Sequence, residues 1–103
     1  MTIPFLARFH QAIRSGEKTM TCRTKRYGAP GHVLTVLPLD TEAGPLNIRI
    51  VTVQRETLGV VASHFYIEEG CASPDEFQAI WLTIHRGFNA EQKVWLHQFT
   101  VEP

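Results

Sequence analysis

The chain has 103 residues, 44% of them hydrophobic and 10% aromatic, enough to fill one core without disulfides or metal, and a single domain over residues 1–103 is expected. Ten Lys/Arg balance ten Asp/Glu, and this zero net charge argues against a strongly cationic nucleic-acid coat. No run of about 18 apolar residues is present to span a membrane, and Met1–Phe5 lacks the basic head and apolar run of a signal peptide, so a cytoplasmic protein is expected.

Phe5, Leu6, Phe9 and Ile13 recur at helical spacing and Gly16 stands where a helix C-terminal glycine would, which predicts a first helix over residues 4–15. Lys18–Arg23 reads as a strand on its Thr, Met and Cys content. Gly28-Ala29-Pro30-Gly31 is a turn, Val33–Leu37 a buried strand, and Asp40–Pro45 a loop punctuated by Gly44-Pro45. Leu46–Gln54 alternates apolar and polar residues and is expected to pair with its predecessor as a hairpin. Leu58–Tyr66 reads as a short helix, ended by Gly70. The clearest local signal is Ser73-Pro74-Asp75-Glu76-Phe77: a serine N-cap, a proline at the first helical position and a glutamate three residues after the cap. Phe77, Ile80, Trp81 and Ile84 mark the apolar face of that helix, with Gly87 at its end. Lys93–Val101 alternates Trp95, His97, Phe99 and Val101 against its other face, the pattern of a strand. The order predicts an α+β fold whose last strand returns to a small curved sheet.

Cys22 and Cys71 show no paired spacing and are expected to be buried or inert thiols rather than a disulfide. The five histidines form neither a His-Glu-x-x-His motif nor a Cys/His cluster, so no metal is expected. Charge is unevenly spread: residues 1–51 carry seven Lys/Arg against three Asp/Glu, and the remainder reverses this. Five of the seven early cations fall between Arg14 and Arg26.

That cluster contains the most informative stretch, Gly16-Glu17-Lys18-Thr19-Met20-Thr21-Cys22-Arg23, which places an ammonium, two threonine hydroxyls and a guanidinium at a helix-to-strand junction. Thr24-Lys25-Arg26-Tyr27-Gly28 adds further cations and an aromatic ring. A solvated basic turn is the plain reading; a site aimed at one point is the other. On a regular strand Lys18 and Thr21 point to opposite faces, so they converge only if Lys18 still belongs to the turn after Gly16.

The eight residues from Gly16 to Arg23 resemble the Gly-x-Lys-Thr-x-Thr-x-Arg signature of the ASCH domain family, a branch of the PUA-like β-barrels. Arg26-Tyr27-Gly28 with Gly31, Glu68-Glu69-Gly70 followed by Ser73–Phe77 and Trp81, and Val94–Phe99 are similar to later parts of the family pattern, in the same order. One departure is His32, where family members commonly carry aspartate after the glycine. The resemblance implies a small PUA-like β-barrel with flanking helices and a cleft between them. It also implies binding of RNA or a modified nucleoside, with hydrolysis of acylated nucleosides such as acetylcytidine in some small members and ribonuclease activity in others. Carried over residue by residue, the catalytic group is Lys18, Thr21 and Glu69, with Glu68 an alternative one position away. Arg23, Lys25, Arg26 and Tyr27 are the expected substrate or RNA contacts.

Amide hydrolysis needs a nucleophile, a base, an acid for the leaving amine and donors for the oxyanion. Thr21 can attack or position a water, but its hydroxyl does not ionise unaided. Lys18 can act as its base only in the neutral form, and Glu69 can carry the proton to the leaving group. The structural alternatives are Lys18 paired with Glu69 or a helix C-terminus, Arg23 in a salt bridge with Glu69, and Tyr27 packed over the barrel end. Trp81 and Trp95 read as core on periodicity. The expectation is therefore a Lys/Thr/Arg/Glu cleft for a nucleoside or RNA, hydrolytic or purely binding, with no cofactor and a ribonuclease as a third reading.

Overall fold

The computed structural model describes all residues, Met1–Pro103. Its elements are β1 (Thr2–Pro4), a 3-10 turn (Ala7–Phe9), α1 (His10–Ser15), β2 (Met20–Arg23), β3 (Val33–Leu37), β4 (Asn47–Thr57), α2 (Leu58–His64), α3 (Pro74–Ile84) and β5 (Lys93–Glu102). The strands form one mixed sheet in the order β1-β3-β4-β5-β2, so the fold is α+β. β3 and β4 make the expected antiparallel hairpin, β4 runs its whole length against β5, and β1 is a short parallel edge on β3.

β4 carries Ile48, Ile50, Val51, Thr52 and Val53, β-branched side chains suited to a pleated surface. Its register on β5 slips at Val51: Ile50 faces Phe99 and Thr52 faces Gln98. Such a bulge bends the strand and increases its twist. The sheet curls until its two edges meet, where Arg23 of β2 donates through Nη2 to the Pro4 carbonyl of β1 at 2.6 Å. A side chain, not a strand ladder, bridges the edges of this barrel-like sheet.

Two cores result. Inside the curl lie Ile3, Phe5, Phe9, Ile13, Leu34, Val36, Leu46, Ile48, Ile50 and Phe99. Between the other face and the helices lie Cys22, Leu58, Val61, Ala62, Cys71, Phe77, Trp81, Val94 and Leu96. β5 feeds both, so its alternation is less simple than the sequence predicts: Val94 and Leu96 are buried as well as His97 and Phe99, while Val101 is exposed.

The expected helix over residues 4–15 is corrected at its start. Residues 2–4 are a strand, because the Thr35 N–H donates to Met1 O and the Phe5 N–H to Leu37 O, docking the chain beside β3. Phe5, Phe9 and Ile13 are buried as their spacing requires, but helical turns begin only at Ala7. At α3 the Ser73 hydroxyl accepts from the Glu76 N–H at 3.1 Å, as a capping serine should. The Glu76 carboxylate reaches one residue further back, to the Ala72 N–H. α3 stops at Ile84, short of Gly87, leaving Ile84 60% exposed instead of on the apolar face. No helix is long and apolar enough to cross a membrane.

Candidate functional site

The chain does not become a strand immediately after Gly16. The Lys18 N–H still bonds back to Ala12 O of α1, and the Thr19 and Met20 N–H groups share the carbonyl of Glu68. Pairing with β5 starts only at Met20, so the alternation that would separate Lys18 from Thr21 does not apply across the junction. Both side chains are buried, at 3% and 4% exposure.

Glu69 arrives from the turns after α2. Its N–H bonds to Phe65 O, and Gly70 follows in the left-handed region at φ +88°. A Cβ at Gly70 would stand 3.3 Å from Lys18 Cβ and 3.4 Å from Phe9 Cε1, so the backbone here is pressed against the lysine stem. Glu69 is 5% exposed.

Lys18 Nζ donates to the Glu69 carbonyl at 2.5 Å and to Oε1 at 3.2 Å, and lies 4.5 Å from the Phe9 ring centroid. Glu69 Oε2 is buried with no protein partner. Arg23 donates through Nε to Thr21 Oγ1 at 2.9 Å, and its guanidinium lies over the rings of Phe5 at 4.6 Å and Tyr27 at 5.2 Å. Burial pulls Arg23 below the ordinary arginine value, yet a guanidinium remains charged. Lys25 Nζ lies 4.8 Å from the Tyr27 centroid on the same rim.

These groups line one cavity of about 460 Å3. Its buried floor holds Lys18, Thr21 and Glu69, its more exposed rim holds Arg23, Lys25 and Tyr27, and Phe5, Phe9, Phe77 and Ile80 supply apolar lining. The size suits enclosure of a whole small ligand. No group of three or more His, Cys, Asp or Glu side chains is placed to hold a metal ion.

No family model matches the chain, and no curated protein matches it. Among solved structures it is similar to a protein of the DUF984 family model from Enterococcus faecalis V583, at TM-score 0.64 and 24% identity, over 91% of this chain and 69% of that one. It is also similar to an ASCH domain from Lactobacillus crispatus JV V101, at TM-score 0.62 and 21% identity, over 88% and 68% respectively. The chain has the ASCH-domain fold.

Within this ASCH fold, six of the seven residues singled out in the sequence border the cavity: Lys18, Thr21, Glu69, Arg23, Lys25 and Tyr27. Arg26 does not. It donates through Nε to Gly28 O at 3.0 Å, and its guanidinium lies 5.7 Å from the Trp95 ring centroid. Glu68 borders no part of the cavity and serves β2 through its carbonyl, which separates it from Glu69. His32 also lies outside; its Nδ1 accepts the Ala29 N–H at 3.0 Å and braces the turn.

Other residues join the site unannounced. Cys22 and Cys71 line the cavity, and burial pushes both thiols up, Cys22 the further, with Glu69 adding to the rise in each. Both therefore remain protonated at neutral pH. Trp81, read as core, is buried and also forms the wall, with His85 stacked on it at 3.9 Å. His97, assigned no role, is 1% exposed beneath the site. Its Nε2 accepts the Tyr27 N–H at 3.1 Å and its Nδ1 faces Thr21 O at 3.3 Å, an assignment that fits the neutral ring with its proton on Nδ1. It ties β2, at Thr21, to the rim tyrosine. The sequence signal was only its place in the alternation of the last strand.

Proposed function

We propose that the cavity binds an acylated nucleoside, acetylcytidine being the simplest case, and hydrolyses its exocyclic amide. The observation that carries this reading is the buried Lys18–Glu69 pair on the floor beside Thr21, with Glu69 Oε2 unpartnered. A hydroxyl has one proton and two acceptor sites. Arg23 occupies an acceptor site on Thr21 Oγ1 and favours negative charge there, leaving the proton free to depart.

The chemistry then balances as follows. A proton moves from Lys18 Nζ to Glu69 Oε1, giving an amine and a carboxylic acid. Thr21 Oγ1 attacks the acyl carbon and passes its proton to the amine. The carboxylic acid protonates the departing nucleoside nitrogen, and the C–N bond breaks, leaving an acyl-threonine ester. Water adds to the ester carbon and gives its proton to the Glu69 carboxylate; the C–O bond to Thr21 then breaks as Glu69 returns that proton to Thr21 Oγ1, and the free carboxylic acid departs, leaving Lys18, Glu69 and Thr21 in their starting forms. Tyr27 and the α3 wall provide flat surfaces for the heterocycle.

The test is hydrolysis of acetylcytidine by the wild type, with chelator present, beside Lys18→Ala, Thr21→Val and Glu69→Gln. Turnover is expected in the wild type, to be lost in Lys18→Ala and Thr21→Val, and to fall by roughly a hundredfold or more in Glu69→Gln. An inactive wild type that still binds nucleoside would replace this reading with a binding module. The double engagement of Lys18 Nζ by protein acceptors is the observation favouring that second reading.

A further inference from the structure

The hydrolytic reaction still leaves one charge without a donor. When Thr21 Oγ1 attacks the acyl carbon, the carbonyl oxygen becomes an oxyanion, which needs an N–H or O–H aimed at it. Lys18 Nζ is directed at the Glu69 carbonyl and carboxylate, and Arg23 Nε at Thr21 Oγ1.

The strand register supplies another donor. β2 is an edge strand, paired only with β5. The Phe99 N–H donates to Thr19 O at 2.9 Å, and Thr21 O faces His97 Nδ1 at 3.3 Å, so both carbonyls point toward β5. In a trans peptide the C=O and the following N–H point opposite ways, so the N–H groups of Met20 and Cys22 point out from the free edge. Met20 bears this out, donating to Glu68 O of the neighbouring turn at 3.0 Å. Cys22 is 7% exposed, and no carbonyl of the turns or loops receives its N–H. A buried backbone N–H without a partner is rare.

This free edge is also the cavity wall. Neighbouring strand residues face opposite sides of a sheet, yet Thr21, Cys22, Arg23, Thr24 and Lys25 all line the cavity, as only a space along the edge allows. Pro4, Phe5 and Leu6 line it across the seam that Arg23 bridges. The unused N–H therefore opens into the cavity, on the residue directly after Thr21.

We infer that the Cys22 backbone N–H is the oxyanion donor for attack by Thr21. The inference rests on the hydrolytic reading and adds the group that stabilises its transition state. An N–H on the residue after a nucleophile lies within reach of an acyl oxygen on that side chain, as in nucleophile-elbow hydrolases. As Oγ1 bonds to the acyl carbon, the C=O electron pair moves onto oxygen and the N–H donates to it. When the C–N bond breaks, that pair re-forms the carbonyl. The same N–H serves again when water adds to the ester.

The experiment removes the N–H and keeps the side chain constant. Cys22→Ala is the reference, and in its counterpart lactic acid occupies position 22, so that an ester oxygen replaces the N–H. Acetylcytidine hydrolysis by the ester form is expected to show a kcat roughly a hundredfold or more below the reference, with KM little changed. Equal kcat in the two would overturn the inference and leave the hydrolytic reading standing. A second measurement uses the natural backbone: amide proton shifts of 15N-labelled Thr21→Val titrated with acetylcytidine. The Cys22 amide proton should move downfield as the acyl oxygen docks, while the Met20 amide, held by Glu68, should not. An unmoved Cys22 amide would also overturn the inference. A Cys22 shift in a protein whose wild type shows no turnover supports the N–H as the carbonyl's donor and removes only the hydrolysis.

Discussion

At the scale of single residues, the Lys18–Glu69 pair governs both stability and chemistry. Each partner is almost fully out of water, so deleting one leaves the other charge buried and unpaired. Lys18→Met is expected to destabilise the fold by about 3 to 5 kcal/mol in urea denaturation, with much of that recovered in the double variant Lys18→Met/Glu69→Gln. Additive losses in the two single variants and the double would mean that the groups do not sense each other. The motif from Gly16 to Arg23 made Lys18, Thr21 and Arg23 legible, because all three lie within eight residues. Choosing Glu69 over Glu68 was not legible, since the backbone turn before Gly70 decides which carboxylate points inward. That Arg26 lies outside the cavity while Arg23 and Lys25 line it was not legible either, because adjacency in sequence says nothing of direction. Arg55 lies in another strand, and only the register of β4 on β5 brings it beside Trp95.

At the scale of elements, two glycines separate strain from site geometry. Gly70 and Gly31 both have positive φ, at +88° and +91°, but a Cβ at Gly31 meets nothing within 4 Å. Alanine at either position should cost about 1 to 3 kcal/mol through backbone strain. Only Gly70→Ala should also displace Lys18 and lower turnover or nucleoside affinity. Equal activity in the two variants at a temperature where both are folded would show that Gly70 has no part in placing the lysine. The β3–β4 hairpin, α2, α3 and β5 were readable because each is periodic and bounded by turn or cap residues. β1 was hidden: its three residues show no period of their own and become a strand only by docking on β3. The same docking shortened the first helix, whose apolar spacing was correct for burial but not for its starting point.

At the scale of the whole molecule, His97 joins the two halves of the site beneath the cavity, and its titration makes stability depend on pH. Burial is the main cause holding it below its ordinary value of 6.5; the bond to the Thr21 backbone opposes burial, Arg23 adds to it, and the smaller effects of the Trp95 backbone and Arg26 again point in opposite directions. The unfolded chain therefore binds a proton on this ring at a pH where the folded chain does not. With more protons on the unfolded state, stability rises with pH across that interval. The contribution of His97 is complete above about pH 6.5 and is lost progressively as the pH falls from there to the folded value. Protonation would place a cation beside the Tyr27 N–H and next to two guanidinium groups, so relief comes through unfolding or through release of the Tyr27 loop from β5. Asp40 and Glu102, both held below the usual carboxylate range, reduce stability only at more acidic pH, which keeps the two effects apart. Urea midpoints for wild type and His97→Gln between pH 8 and pH 5 should diverge in shape: wild type declining below about pH 6.5, the variant lower at pH 8 but flatter across the same interval. Parallel curves would mean that His97 takes up its proton alike in both states and that its two short contacts do not restrain it.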